Sequence, residues 1–294
     1  MGYGTKIEDL RDAARPLVAA ACCAFLHEAN TAQERWDPYR SWAREMTSAD
    51  TIVTFNYDRV LELLQEHLRK LADVQRFQVF VPSDGMPNGP GSLVLKMHGS
   101  VDWWREGPPD GSPVSYALGL GLGDLGKEVD PEFALHCRGD RIGIATPGPS
   151  KRISTEELRP VWDAALQRIK DAQVIVFVGY RFPPSDAEAR EKLLGAIREN
   201  KPKGRPPDPA VRLPVRKRLA MPRINHLDLH VVLGPKQQQS DDVLRLQQLL
   251  KYTVEQAGRR DDMPRHGGFS YRLWTHALYA EDFFTVWHRG LLSP

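Results

Sequence analysis

Three stretches of the chain place polar, chemically capable side chains directly after apolar runs. Thr54-Phe55-Asn56-Tyr57-Asp58 ends the run that starts at Thr51. His98-Gly99-Ser100-Val101-Asp102-Trp103 follows Ser92 to Met97. Gly179-Tyr180-Arg181-Phe182-Pro183-Pro184-Ser185-Asp186 follows Val174 to Val178, and Gly234-Pro235-Lys236 repeats the form more weakly after Leu233. An Asn amide can hold a water or a ribose hydroxyl, and a His titrates near neutrality and can take a proton. Gly179 permits close backbone approach, and a helix N-terminus just beyond it favours an anion. Each stretch also has a plain reading. Asp58 can cap a helix, Asn56 can bond its own turn, and His98 can be a satisfied core histidine. Four such turns on one sheet point to a nucleotide-sized site.

The elements that must position these groups follow from spacing. Residues 5–49 read as helical, with Leu10, Ala13, Ala14, Leu17 and Val18 on one face. Thr51 to Phe55 reads as a short buried strand, followed by a helix with Leu61, Leu64, Leu68 and Leu71 at helical spacing. Ser92 to Met97 is a second strand. Residues 105–150, rich in Gly and Pro, read as a loop-like inserted subdomain. Leu158, Val161, Trp162, Ala165, Leu166 and Ile169 mark another helix, leading into Val174 to Val178, apolar enough for burial on both faces. Ser185 and Glu188 have capping-box spacing for the next helix, and Leu227 to Leu233 is the last strand expected. Strands alternating with helices predict an α/β fold with a doubly wound parallel sheet. Its ligands lie beyond the carboxyl ends of the strands.

Composition narrows the classes. Hydrophobic residues are 41% and charged residues 27% of 294, as in a globular chain. A net charge of +2 supplies no global field toward nucleic acid or anionic lipid. Three cysteines (Cys22, Cys23 and Cys137) build neither a disulfide framework nor a four-thiolate metal site, so no metal is expected. The longest apolar run, Leu17 to Leu26, is about half of a membrane-spanning helix. A cytoplasmic protein is expected, with no membrane partner.

Three further features carry less. Gly121-Leu122-Gly123-Asp124-Leu125-Gly126 fits G-x-G-x-x-G, but Asp130-Pro131 leaves no room for the helix that the pattern needs. Residues 201–223 hold eight Lys or Arg, one Asp and six Pro, and read as a basic flexible loop, the one place where nucleic acid would be met. Seven aromatics between Phe269 and Trp287 fall in a C-terminal segment, 236–294, read as helical and packed on the same domain.

Taken in order, Thr51–Glu62 (TIVTFNYDRVLE), Lys96–Trp103 (KMHGSVDW), Pro147–Lys151 (PGPSK) and Val178–Asp186 (VGYRFPPSD) resemble the motif set of sirtuin-like domains in bacterial anti-phage defence proteins. The resemblance spans about 51–235, with 1–50 as a helical segment packed on that core. It implies a Rossmann-like NAD fold and hydrolysis of NAD, as substrate, to nicotinamide and ADP-ribose. On that resemblance, His98 matches the catalytic His, and Asn56 and Asp58 match the pair beside the nicotinamide ribose. Gly179 and Tyr180 fall where phosphates or the adenosine ribose are held, and Gly234 lies toward the adenosine end. It also implies a defence-system partner protein or self-assembly.

The sequence departs from the family at two places. The paired Cys-x-x-Cys of protein-deacylating sirtuins is absent, which disfavours NAD-dependent deacylation. The family's first strand and Gly-Ala-Gly loop have no match in Met1-Gly2-Tyr3-Gly4, which leads into helix. Weak NAD binding is therefore expected, and the competing expectation is a catalytically silent nucleotide-binding or assembly module without that phosphate loop.

Overall fold

The computed structural model describes residues 7–27, 32–72, 75–106, 115–118, 131–145, 158–183, 186–200, 225–232, 234–235, 241–257 and 269–286. The protein is mixed α/β with parallel sheets, and it divides into two compact units, Met1–Ala165 and Leu166–Pro294. Among the described residues no helix is long and apolar enough to cross a membrane. The expected Gly121–Gly126 turn, Pro147–Lys151 and the 201–223 loop lie outside the described residues.

The first unit begins with α1 (Ile7–His27) and α2 (Asp37–Glu45). Then come β1 (Thr51–Thr54), α3 (Val60–Ala72), β2 (Phe77–Val79) and β3 (Ser92–Lys96). These strands form a parallel sheet in the order β1-β3-β2, with Thr51 opposite Leu93 and Thr54 opposite Lys96. A parallel pair needs a crossover, and α3 supplies it from the predicted leucine stripe. Leu64 and Leu68 are buried, whereas Leu71 points to solvent. α1 corrects the sequence expectation. Leu10 and Leu17 are exposed, and the face that packs is Ala19, Ala20, Cys23 and Leu26.

Residues 99–145 also depart from the loop expected. β4 (Gly99–Glu106), β5 (Ser115–Leu118) and β6 (Ile142–Ile144) form an antiparallel sheet in the order β5-β4-β6, with α4 (Pro131–His136) between β5 and β6 in the chain. Ala19, Ala20 and Cys23 of α1 pack against Val101, Ala134, Ile142 and Ile144 in one buried cluster. Removing these apolar surfaces from water contributes roughly 25 cal/mol per Å².

The boundary between units falls inside α5 (Arg159–Asp171). The second unit continues with β7 (Val174–Val178), α6 (Ala187–Arg198), β8 (Asn225–Val232), α7 (Asp241–Ala257), β9 (Phe269–His276) and α8 (Ala280–Thr285). Its sheet is parallel in the order β7-β8-β9. Two expectations change here. β7 is an edge strand of this sheet, partly exposed with Val174 at 38%, rather than buried on both faces. Phe269–His276 is a strand where a helix was expected, because its residues alternate. Tyr271 and Leu273 share a face, and Arg272, Trp274 and His276 share the other. The capping box also changes. Asp186 is the N-cap of α6 and makes no side-chain cap bond, and Ser185 lies outside the described residues.

Candidate functional site

Parallel pairing of β1 with β3 brings Asn56, Asp58 and His98 to the same carboxyl end of one sheet. Their turns are tied together by backbone bonds: Met97 N–H to the Thr54 carbonyl at 2.9 Å, and Val101 N–H to the Tyr57 carbonyl at 3.0 Å. Asn56 is exposed. Its backbone N–H donates to Thr54 Oγ1 at 3.1 Å. Asp58 does cap its helix, its Oδ1 accepting from the Val60 N–H at 3.0 Å.

His98 is 7% exposed and is held by rings. Tyr57 stacks on it at 5.9 Å and Phe55 meets it edge-on at 5.1 Å. Trp162 backs Phe55 at 6.1 Å and donates its Nε1–H to the Met97 carbonyl at 3.1 Å. The Tyr57 hydroxyl donates to the Ala145 carbonyl at 2.7 Å, and the Ala145 N–H returns a 2.8 Å bond to the His98 carbonyl. Two aromatic rings thus set the plane of the imidazole, as a positioned proton acceptor requires.

Beneath these turns lies a buried ionic cluster that sequence reasoning missed. Lys96 is 1% exposed, and its ammonium donates to Glu62 Oε1 at 2.7 Å, Ser100 Oγ at 2.6 Å and the Asp58 carbonyl at 2.5 Å. Burial pushes the Glu62 carboxyl up, the Lys96 ammonium opposes this, and Asp102 adds to it. Arg59 Nε lies 3.1 Å from Asp102 Oδ2. Glu62 Oε2 and Asp102 Oδ1 are buried without a hydrogen-bond partner among the described residues. Burial, and then the Asp58 carboxylate, raise the Cys22 thiol, which keeps it protonated at neutral pH. The signal available in the sequence was one cation closing an otherwise apolar strand, Ser92-Leu93-Val94-Leu95-Lys96.

Gly179, Tyr180 and Gly234 belong to the second unit. There Gly179 and Gly234 follow adjacent strands at the carboxyl end of the sheet, with φ of 71° and 82°. A Cβ at either would meet nothing within 4 Å, so both present open backbone. The Gly179 N–H bonds the Val232 carbonyl at 3.4 Å, and the Gly234 N–H bonds Leu278 at 3.0 Å. Burial, then Asp186, raise the Tyr180 phenol, with Arg190 opposing, so it stays protonated. Phe182 is 1% exposed with φ of 51°, held there by the rings of Phe177 at 5.3 Å and Tyr180 at 4.9 Å. A bulky residue in the left-handed region costs on the order of 1–3 kcal/mol, so this turn is strained.

A polar face of the same sheet was also missed. Asp228, 4% exposed, accepts two bonds from Arg272 at 2.8 and 2.9 Å and one contact from His226 at 2.8 Å. Burial alone would raise its carboxyl, but Arg272 and His226 outweigh that and hold it below the usual range. His230 stacks on His276 at 5.2 Å and on Trp274 at 6.2 Å, with its Nδ1 3.0 Å from His276 Nε2. Among the described residues no group of three or more His, Cys, Asp or Glu is placed to hold a metal ion.

Compared with known proteins, the chain matches no family model and no curated protein.

Proposed function

We propose that the chain hydrolyses NAD to nicotinamide and ADP-ribose, with bond cleavage at the carboxyl end of the β1–β3 pair and a Rossmann-like fold as the frame. The observation that carries the reading is the parallel register, which sets an exposed Asn56, a helix-capping Asp58 and a ring-clamped His98 at one sheet end. Breaking the nicotinamide–ribose bond sends its electron pair to nicotinamide, which leaves neutral. Positive charge develops at the anomeric carbon. Water then adds there and loses a proton to His98, while Asn56 orients that water or a ribose hydroxyl and Asp58 takes the carboxamide. Such proton transfer contributes about 10²–10⁴-fold. By the resemblance, Gly179, Tyr180 and Gly234 are assigned to phosphates or an adenosine ribose, and within the second unit Gly179 and Gly234 present open backbone at the carboxyl end of their own sheet. By the resemblance of its motifs, the setting is bacterial anti-phage defence in the cytoplasm, with a partner protein or self-assembly.

One observation favours a second reading, a catalytically silent nucleotide-binding or assembly module. The N-cap residue of α6 is Asp186, and its negative charge near that helix N-terminus opposes a phosphate there. The two readings part in one experiment. Purified protein is incubated with NAD, and nicotinamide and ADP-ribose are followed by chromatography. Equimolar release that His98→Ala abolishes supports the hydrolase. No release from the wild type, alone or with its partner, refutes it in favour of the silent module.

A further inference from the structure

We infer that Lys96 is a positioning residue: its buried ammonium holds the Asn56–Asp58 turn at a fixed distance from the chain segment that carries His98. As a role in catalysis this rests on the hydrolase reading above; as a statement about the turn it does not. The three protons of the ammonium are all used. One goes to the Asp58 carbonyl, one to Ser100 Oγ and one to Glu62 Oε1, at 2.5, 2.6 and 2.7 Å. Only the last of these is an ion pair. The other two reach the turn itself, since Ser100 Oγ also donates to the Tyr57 carbonyl at 3.4 Å.

The turn is therefore held at three carbonyls, those of Thr54, Tyr57 and Asp58. Met97 N–H takes Thr54, Val101 N–H takes Tyr57, and Lys96 takes Asp58. Two of these donors flank His98 in the chain, and Lys96 stands two residues before it. A shift of Lys96 would move the Asp58 carboxylate and the Asn56 amide relative to the imidazole. Burying an ammonium at 1% exposure is unfavourable unless its bonds repay it, a cost that a leucine here avoids. What the leucine lacks is a donor for the Asp58 carbonyl.

The test compares Glu62→Gln with Lys96→Met/Glu62→Gln in the full chain. Glu62→Gln removes the ion pair and keeps the ammonium on the turn, whereas the double variant removes both without stranding a buried charge. Amide hydrogen exchange is read over residues 55–60, with β3 as internal reference, beside kcat and KM for nicotinamide release. In the double variant, exchange over 55–60 should quicken by at least about tenfold while β3 stays within about threefold. Its kcat should fall by roughly 10–100-fold with KM changed less than about threefold, as for a misplaced catalytic geometry. Glu62→Gln strands a buried charge and lowers overall stability, but its amide oxygen still accepts from Lys96, so exchange over 55–60 relative to β3, and kcat, should stay within about threefold of the wild type.

If both variants lose protection and activity together, Lys96 is an ordinary buried ion pair and the inference is wrong. If the double variant exchanges over 55–60 as the wild type does, it is wrong as well. Should the double variant not fold, Glu62→Gln alone decides, because the ion-pair alternative requires it to quicken exchange at the turn. A wild type that releases no nicotinamide removes the hydrolase reading and leaves the positioning of the turn to be judged by exchange.

Discussion

His230 makes the second unit sensitive to acid, and the size of the effect can be worked out. The ring is 4% exposed, stacked between Trp274 and His276, and its Nε2 is buried without a hydrogen-bond partner among the described residues. Burial, and then the neighbouring His276, hold its pKa down from 6.5 to about 4. A proton added there would be a buried N–H with no acceptor. Between these two values the unfolded chain binds the proton and the folded chain does not, so stability rises with pH. The contribution is fully present above pH 6.5 and is lost as pH falls toward 4. From pH 7.5 to 4.5 the loss is about 2.5 kcal/mol. His230→Phe keeps a ring in the stack and removes the titration. The assay is the opening free energy of β8 amides by native-state hydrogen exchange at both pH values, wild type against variant. The wild type should lose about 2.5 kcal/mol more than the variant, since the slope left by the lowered His276 is common to both and cancels. Parallel profiles within about 0.5 kcal/mol would refute the reasoning.

Other perturbations test other parts of the structure. His98→Ala should lower nicotinamide release by about 10²–10⁴-fold, and Asn56→Ala should lower it too; steady-state kinetics with circular dichroism as a folding control reads both. Gly99 has φ of 79°, and a Cβ there would lie 2.0 Å from the Gly143 carbonyl oxygen. Gly99→Ala should therefore lose about 3–5 kcal/mol, from left-handed strain plus broken β4–β6 bonds, measured by urea unfolding. Asp228→Asn leaves Arg272 with a neutral partner and should lose about 1–3 kcal/mol at pH 7; because the Asp228 carboxyl is held low, the deficit should shrink as pH falls through its titration.

How far the sequence was legible depends on what each element uses. β1 and β7 are short β-branched runs and β3 and β8 hold leucine and valine between turns, so all four stand out, as does α3 with Leu64 and Leu68 inward. The turn residues after β1 and β3 were found because polar groups after apolar runs are conspicuous in any sequence. Three things were not legible. β4, β5 and β6 are set among glycines and prolines, which read as loop. The phase of α1 was misread, because Leu10 and Leu17 are larger than the alanines that pack. The Lys96 cluster depends on a depth that no local pattern records. One cation after four strand residues says nothing of Glu62, which lies 34 positions away. Which helix face counts as inside, and how deep a charge sits, are set by partners far along the chain.

That distance has a consequence for the order in which the first unit can form during synthesis. α1 rests on residues made much later. Arg15 donates through Nε to the Ile144 carbonyl, 129 positions on, and Ala19, Ala20 and Cys23 close against Ala134 and Ile142. At about 5–20 residues per second, a ribosome needs roughly 6–26 s to make that intervening chain. Throughout this interval the alanine face of α1 has no native cover. α1 is therefore an apolar surface that the first unit seals late, and a chaperone that binds nascent segments would hold it until β6 has emerged.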